Sequence, residues 1–396
     1  MILAIGAIFR DEYDYLVEWF AWHIVAGFKK FLIADNGSTD GTVALLEALS
    51  DIGVVSLIYQ PVLDKQSQGV AYQRITENAM SESVEAVLFI DADEFLVHES
   101  MLDGEELRSL EKLLSDPSVG MVGINWRTFG SSGQKVQTNA PVLERFTQHL
   151  SSKKDKFCLN GHLKSITKIA YAKNIKAHIS ILKEPFKRVD ISGNEITDWV
   201  FPSDGKMIRM DSSGITRNVV EGPLRINHYV IKSEQEYTEK KRRRGSATRG
   251  AGFDRGEKFF NNHDFKDSQF RISTLKMERL CVEIEHINTL LGSTAINKSL
   301  RGVIDNSDAN GLAGWLVDEQ GISINLKLNI YVNGIWVSRV FAQFYRPDLH
   351  RSKQSINGLC GFQYTHPKPL TSGDTVEVKV HANRYVFSAR GTVTIT

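Results

Sequence analysis

Apolar residues along this chain change their period twice. "ILAIGAI" (2–8) is a short continuous apolar run of buried-strand type. "DEYDYLVEWFAWHIVAGF" follows with Leu16, Trp19, Phe20, His23 and Ile24 at helical spacing, ending at Gly27. "KFLIA" (30–34) predicts a second strand, and the Asp-Asn-Gly-Ser-Thr-Asp-Gly loop supplies turn formers and caps before a helix over "TVALLEAL". "VVSLIY" (54–59), a helix over 68–80 and "AVLFI" (86–90) complete the series. Strands alternating with helices in this way predict a mostly parallel sheet covered on both faces.

Residues 265–292 predict a helix with Ile272, Leu275, Leu280, Ile284, Ile287 and Leu291 as its apolar face, followed by linker-like "GSTAINKSLRG". From 302 the period becomes two. "LNIYV" and "IWVSRV" flank Asn333-Gly334 as a tight hairpin turn, and "DTVEVKVHA" and "GTVTIT" alternate as half-buried strands. Short strands and turns over this length predict a β-sandwich. The expected organisation is an α/β domain over 1–264, a helical segment and linker over 265–301, and an all-β domain over 302–396.

Composition adds mainly exclusions. The 396 residues are 42% hydrophobic and 24% charged, ordinary for a soluble globular protein. With 48 Lys+Arg against 47 Asp+Glu, no protein-wide field favours nucleic acid, so no nucleic-acid partner is expected. Cys158, Cys281 and Cys360 lie far apart without CxxC spacing, which argues against a zinc ribbon or disulfide scaffold and fits a reducing compartment. "MILAIGAIF" has no basic region before its apolar run, and no apolar run approaches the roughly 20 residues that span a bilayer. The expected location is cytoplasmic, with peripheral association at the inner face of a membrane left open.

In parallel α/β sheets, ligands sit beyond the carboxyl ends of the strands. That rule gathers Phe9-Arg10-Asp11-Glu12 after the first strand, Asp35-Asn36-Gly37 after the second, and Asp91-Ala92-Asp93-Glu94 after the fourth. Residues i and i+2 of an extended segment face the same way, so Asp91 and Asp93 can point together into the crevice. Two hard oxygen ligands with room for water suit Mg2+ or Mn2+ bound jointly with substrate phosphates. An isolated DxD reads more readily as helix caps or solvated loop charges; its place at the crevice tips the reading to metal. GxGxxG does not follow the first strand, and GxxxxGK[ST] does not occur. A phosphatase with an aspartyl nucleophile also carries DxD at a strand end, but usually on the first strand with a hydroxyl residue soon after. Here it comes fourth and is followed by Glu94-Phe95-Leu96.

Taken in order, "FRDEYDYLVEWFAWHIVAGF", "IADNGSTDGT" and "FIDADEFL" resemble the nucleotide-sugar-binding half of GT-A-type glycosyltransferases. The chain is most similar to the family 2 and family 92 group, whose first helix carries E-x-x-x-L-x-E-W-x-x-x-H-x-x-x-G. Those positions are Glu12, Leu16, Glu18, Trp19, His23 and Gly27. "WRTFGSSG" (126–133), "ERF" (144–146), "HLKSI" (162–166) and "INHYVIKSEQEYTEKKRRRG" (226–245) extend the likeness, which covers residues 1 to about 270.

The resemblance implies a GT-A fold and a metal-dependent, inverting transfer from a nucleotide sugar, expected to be a UDP-sugar. The implied acceptor is a glycan or lipid-linked glycan in bacterial surface polysaccharide synthesis. Asp93 would hold the metal, Asp91 the ribose or a metal-bound water, and Glu94 would serve as a further metal-shell acceptor or an orienting partner. His228 would be the third protein group near the metal, or else a histidine hydrogen-bonded beneath the site. Phe9, Arg10, Glu12, Asp35, Asn36, Gln68 and Ala92 would bound the nucleotide. Lys164, Lys232, Arg243 and Arg244 would face the donor. From Lys240 to Arg255 the chain has seven basic residues and one acidic, with glycines at 245, 250, 252 and 256; it reads as a solvated charge run or a lid.

An inverting transfer asks for a carboxylate to take the acceptor hydroxyl's proton. Glu144, Asp155, Glu195 and Asp198 are eligible by position, with Glu144 leading. Trp126, Phe129 and His178 are the acceptor-side candidates, the two aromatics reading equally as core. "GWLVDE", "RPDL" and "GLCGFQY" resemble accessory domains appended to bacterial glycosyltransferases, with Trp315, Trp336 and Tyr345 as a sugar platform or, more often for such residues, core. Two other classes fit the same acids: a metal-dependent phosphohydrolase or nucleotidyltransferase, and a non-catalytic glycan-binding protein.

Overall fold

The computed structural model describes residues 1–396 apart from 39, 59–66, 157, 177, 204–205, 211–212, 242–253, 293–299, 319–320, 322–325, 334, 381–391 and 395–396. The chain divides into two compact units. One comprises residues 1–10, 15–37 and 49–289, the other residues 11–14, 38–48 and 290–396.

The first unit is built on a nine-stranded sheet. Its leading half is the series read from the sequence: β1 (Leu3–Phe9), α1 (Tyr13–Val25), β2 (Phe31–Asp35), α2 (Thr42–Asp51), β3 (Ser56–Ile58), α3 (Ser67–Ser81) and β4 (Ala86–Phe89). β3, β2, β1 and β4 lie side by side in that order, all parallel. The sequence did not suggest β5 (Glu94–His98), which starts directly after the acidic turn. Beyond β4 the sheet continues through β7 (Leu163–Lys168), β6 (Val119–Thr128), β9 (Leu224–His228) and β5, with β8 (Lys187–Val189) also pairing β6. β7 is antiparallel to β4 and β6, and β5 is antiparallel to β9. The sheet is therefore mixed, and parallel in the part that holds the predicted crevice.

Both faces are covered. Ala71, Tyr72, Ile75 and Ala79 of α3 pack on Ala4, Leu32, Val87 and Phe89. Gly6 makes this approach close: a Cβ there would lie 2.8 Å from the Phe89 ring and 3.0 Å from Ile75. Residues of α1 fill another cluster, in which Trp19 meets Phe9, Phe20 and Phe31 edge to face. α4 (Glu105–Leu114) precedes β6. The predicted C-terminal helix is α7 (Thr274–Gly292), the seventh after the short helices α5 (Val142–Arg145) and α6 (Gly256–His263). Leu280, Ile287 and Leu291 are buried on it, but Leu275 is exposed. Lys276 takes the inward position instead, paired with Glu106 at 2.6 Å and donating to His98 O at 3.1 Å.

In the second unit, the described strands between residues 300 and 394 form two four-stranded antiparallel sheets. Leu300, Leu312, Leu316, Leu328, Ile330, Phe362, Val376 and Val378 form its core. The predicted hairpin joins β12 (Lys327–Val332) to β13 (Ile335–Phe341), after β10 (Leu300–Asp308) and β11 (Gly311–Asp318), with Asn333 at φ +50° in the turn. Trp315 is core, packed with Val317, Leu349 and Cys360, so it offers no sugar platform. Tyr345 is exposed, and the side chain of Trp336 lies outside the described residues. Among the described residues no helix is long and apolar enough to cross a membrane.

Candidate functional site

The acidic turn between β4 and β5 is held from behind by α1. The Trp19 indole N–H donates to both ends of the turn, to Asp91 O at 3.2 Å and Glu94 O at 2.9 Å. Beneath it, the Leu96 N–H donates to His23 Nε2 at 3.2 Å while His23 Nδ1 donates to Trp19 O at 2.8 Å, which fixes one neutral tautomer. Burial pushes His23 down to about 3, consistent with that neutral ring. The E-W-x-x-x-H spacing thus puts one indole and one imidazole on the face that meets the turn, a role the sequence reading did not assign them.

Lys164, fully buried on β7, bridges the turn's carboxylates: its Nζ lies 2.9 Å from Asp91 Oδ2 and 3.1 Å from Glu94 Oε2. Glu94 Oε2 also accepts the Asp91 N–H at 2.8 Å, and its Oε1 has no hydrogen-bond partner among the described residues. Burial, reinforced by Asp91 and Asp93, pushes the Glu94 carboxyl up to about 8 despite Lys164. Burial also presses upward on Asp91, but Lys164 outweighs it and the net shift is down. For Lys164 itself burial acts downward, and Asp91 and Glu94 more than reverse it. The cluster therefore sets one buried ammonium against two carboxyls pushed in opposite directions, Asp91 toward ionisation and Glu94 toward keeping its proton. Such a set avoids the cost of two buried like charges.

Asp93 faces the other way. His228 ends β9 opposite Glu94, and its Nε2 lies 3.8 Å from Asp93 Oδ1. That is too long for a hydrogen bond, yet within the span of two atoms sharing one cation at about 2.1 Å each. Asp91, expected beside them as a ligand, is instead tied to Lys164. Among the described residues no group of three or more His, Cys, Asp or Glu side chains is placed to hold a metal ion. A carboxylate and an imidazole suit Mn2+ or Mg2+ only if the donor's phosphates and water complete the shell.

Behind this pair stands Trp126, on β6 next to β9. Its ring stacks on His162 at 4.6 Å and contacts His228 at 4.2 Å and His178 at 5.5 Å; its buried Nε1 has no hydrogen-bond partner among the described residues. Phe129 is fully buried and stacked on Tyr229, so it is core. "FGSSG" has a packing reason: the main chain of Phe265 lies 2.4 Å from where a Gly130 Cβ would be, and Ser131 donates twice to Asp264.

The remaining candidates are scattered. The Phe9 ring is core, and only its carbonyl, accepting the Asn36 N–H at 2.9 Å, reaches the strand end. Asp35 accepts the Gly37 N–H at 2.8 Å, and Arg10 is half-buried at the same strand ends. Asn36 is buried with Oδ1 unpartnered among the described residues. Glu12 falls in the second unit, where its N–H donates to Thr42 Oγ1. Gln68 donates to the hydroxyl of Tyr72, a residue that feels the charges of Lys164 and Asp91. Ala92 is buried in the turn.

Lys232 has φ +56° and lays its ammonium 4.0 Å from the centre of the Tyr15 ring. Tyr15 donates to Glu236, which Arg145 grips at 2.8 and 3.0 Å. Burial resists ionisation of Glu236, but Arg145 brings it down to about 2. Arg243 and Arg244 lie outside the described residues. Of the proposed bases, Glu144 and Glu195 are exposed. Asp198 accepts the Asn218 N–H at 2.8 Å, and both carboxylate oxygens of Asp155 cap the main chain at 159–160. Among the described residues none of these four is joined by a hydrogen bond or ion pair to the turn or to the Trp126 group.

The model of glycosyltransferase family 92 matches residues 5–243, three fifths of the chain and nearly all of the sheet just described. The chain belongs to glycosyltransferase family 92. A family 92 protein of Oryza sativa subsp. japonica is 26% identical over 152 residues, and one of Ricinus communis 28% over 136 residues. The matches take in 38% and 34% of this chain, and the chain spans about a quarter of the length of these relatives (25% and 24%). Among solved structures, the chain is similar to S. aureus TarS 1-349 (14% identity, TM-score 0.29, 43% of this chain and 48% of that one). It is also similar to glucosyl-3-phosphoglycerate synthase of Mycobacterium tuberculosis, solved with Mn2+, UDP and glucosyl-3-phosphoglycerate (14%, TM-score 0.25, 43% and 57%). As a family 92 member with an α/β sheet that opens at the acidic turn, the chain has the GT-A-type architecture expected from its sequence, followed by a β domain.

Proposed function

We propose that the protein transfers a glycosyl unit from a UDP-sugar to a glycan acceptor with inversion at the anomeric carbon. The proposal extends to bacterial surface polysaccharide synthesis and a cytoplasmic site of action. Family membership supports the reaction class. The observation that carries the site assignment is the turn itself: three acids at a strand end, divided into two carboxyls bridged by Lys164 (Asp91 and Glu94) and a third, Asp93, beside the His228 imidazole.

Asp93 and His228 are the residues that would hold Mn2+ or Mg2+, with phosphate oxygens and water filling the other positions. Bound there, the ion would supply positive charge to the diphosphate as it leaves. Asp91, 39% exposed at its side chain and oriented by Lys164, would present its free edge to a ribose hydroxyl. Trp19 holds the turn so that these two carboxylates keep separate directions, and Trp126 forms a wall on the acceptor side. Isothermal titration of UDP with and without Mn2+ tests the reading. Metal-dependent UDP binding supports it, and release of inorganic phosphate from phosphomonoesters with no UDP affinity overturns it.

A further inference from the structure

Among the described residues none of the carboxylates eligible as a base is joined by a hydrogen bond or ion pair to the Trp126 group, whereas two imidazoles tied through Nδ1 to main-chain carbonyls, His162 stacked flat on the indole and His178 at an angle to it, are built into it. We propose that His178 receives the proton of the acceptor hydroxyl during transfer; this rests on the glycosyl-transfer reading above. His178 Nδ1 donates to Leu163 O at 2.9 Å, so Nε2 carries the lone pair and has no hydrogen bond among the described residues. The ring is held in place from both sides. Leu163 N–H donates to Gly214 O at 3.0 Å, and Gly214, at φ +80°, leaves room that a side chain would fill, since its Cβ would lie 2.6 Å from the His178 Cβ. The ring meets Trp126 at 5.5 Å and His162 at 5.7 Å, both in T-shaped contacts.

A base, an orienting carbonyl and a wall are the parts such a step needs. Burial, with Lys164 and His162 beside it, pushes His178 down to about 4, so the ring is unprotonated and ready over the whole neutral range. In the step, the acceptor oxygen forms its bond to the anomeric carbon and the bond from that carbon to the diphosphate oxygen breaks. The electron pair leaves with the nucleoside diphosphate, and the hydroxyl proton moves to His178 Nε2.

The test compares the full-length wild type with His178→Ala, His178→Gln and Glu144→Gln. UDP release from UDP-glucose, UDP-galactose and UDP-N-acetylglucosamine is measured with Mn2+ and water as acceptor, alongside UDP affinity. We expect kcat to fall about 100-fold or more in both His178 variants, the size typical of a lost general base. UDP affinity should stay as in the wild type, and added imidazole should restore part of the His178→Ala turnover. Turnover within a few-fold of wild type in His178→Ala would overturn the proposal, as would no imidazole rescue, a matching loss of UDP affinity, or a larger loss in Glu144→Gln. A wild type that binds UDP with Mn2+ but turns over none of the three donors counts against it too. A wild type that does not bind UDP at all refutes the transfer reading instead.

Discussion

The acidic turn at 91–94 and the histidine group around Trp126 both take ionisable side chains out of water, and they do so in opposite ways. In the turn a charge remains and is answered: Lys164 bridges two carboxyls, the Asp91 N–H donates to one of them, and burial raises Glu94. Around Trp126 the charges are removed. Burial lowers His162 and His178, each tied through Nδ1 to a main-chain carbonyl, so the rings are neutral and their Nε2 atoms remain available. The contrast fits the two halves of a transfer reaction: a charged diphosphate calls for fixed charges, and an incoming hydroxyl calls for an open lone pair.

The largest expected effect breaks the first half. Lys164→Met leaves the buried Glu94 and the part-exposed Asp91 with no cation; removing one partner from a fully buried pair costs about 3–5 kcal/mol, and the exposure of Asp91 puts the expectation here at about 2–4 kcal/mol. Denaturant unfolding should show that loss, with part of it recovered when Glu94→Gln is added; a change below about 1 kcal/mol would mean that the pairing does not govern the turn. Trp19→Phe comes next. It keeps the aromatic packing but removes the indole donor from Glu94 O and Asp91 O, the latter keeping the Glu94 N–H at 3.0 Å, for about 1–3 kcal/mol and a weaker metal-dependent UDP affinity. Unchanged affinity would reduce Trp19 to a packing residue.

A smaller effect depends on pH. Glu18, half-buried, accepts the Val142 and Leu143 N–H groups, and burial raises its pKa to about 7 against the lowering by those bonds and Arg145. A carboxyl raised above its unfolded value stabilises the fold fully below about 4.5 and less as pH climbs through 7. The thermal midpoint should therefore fall between pH 5 and 8, and Glu18→Gln should flatten that part of the slope. The smallest effect is expected at Glu144. On an exposed helix position, Glu144→Gln should change stability by no more than about 0.5 kcal/mol.

The sequence carried the α/β series well, because buried parallel strands and amphipathic helices write their periods locally: the first four strands and three helices fall within a few residues of their expected places. β5 was hidden, since its five residues follow the turn with no break and become a strand only by pairing with β9, more than a hundred residues later. The same long-range pairing explains what was missed in the site. Nothing near Lys164 in sequence shows that it lies fully buried between Asp91 and Glu94, and nothing near Trp19 shows its reach to the turn. Phe9, Phe129 and Trp315 read as exposed aromatics as easily as buried ones, and all three are core. Nδ1 bonds to main-chain carbonyls together with contact to the Trp126 ring, which no residue pattern announces, distinguish His162 and His178 from ordinary loop histidines.

The division of labour inside the turn is tested most directly by titrating UDP into wild type, Asp93→Ala and Asp91→Asn with Mn2+ present and absent. The account predicts that Asp93→Ala abolishes the Mn2+-dependent part of the affinity while leaving the thermal midpoint nearly unchanged. Asp91→Asn should weaken binding in both conditions yet keep the metal dependence. Metal-dependent UDP binding that survives in Asp93→Ala, or that vanishes in Asp91→Asn, would contradict it.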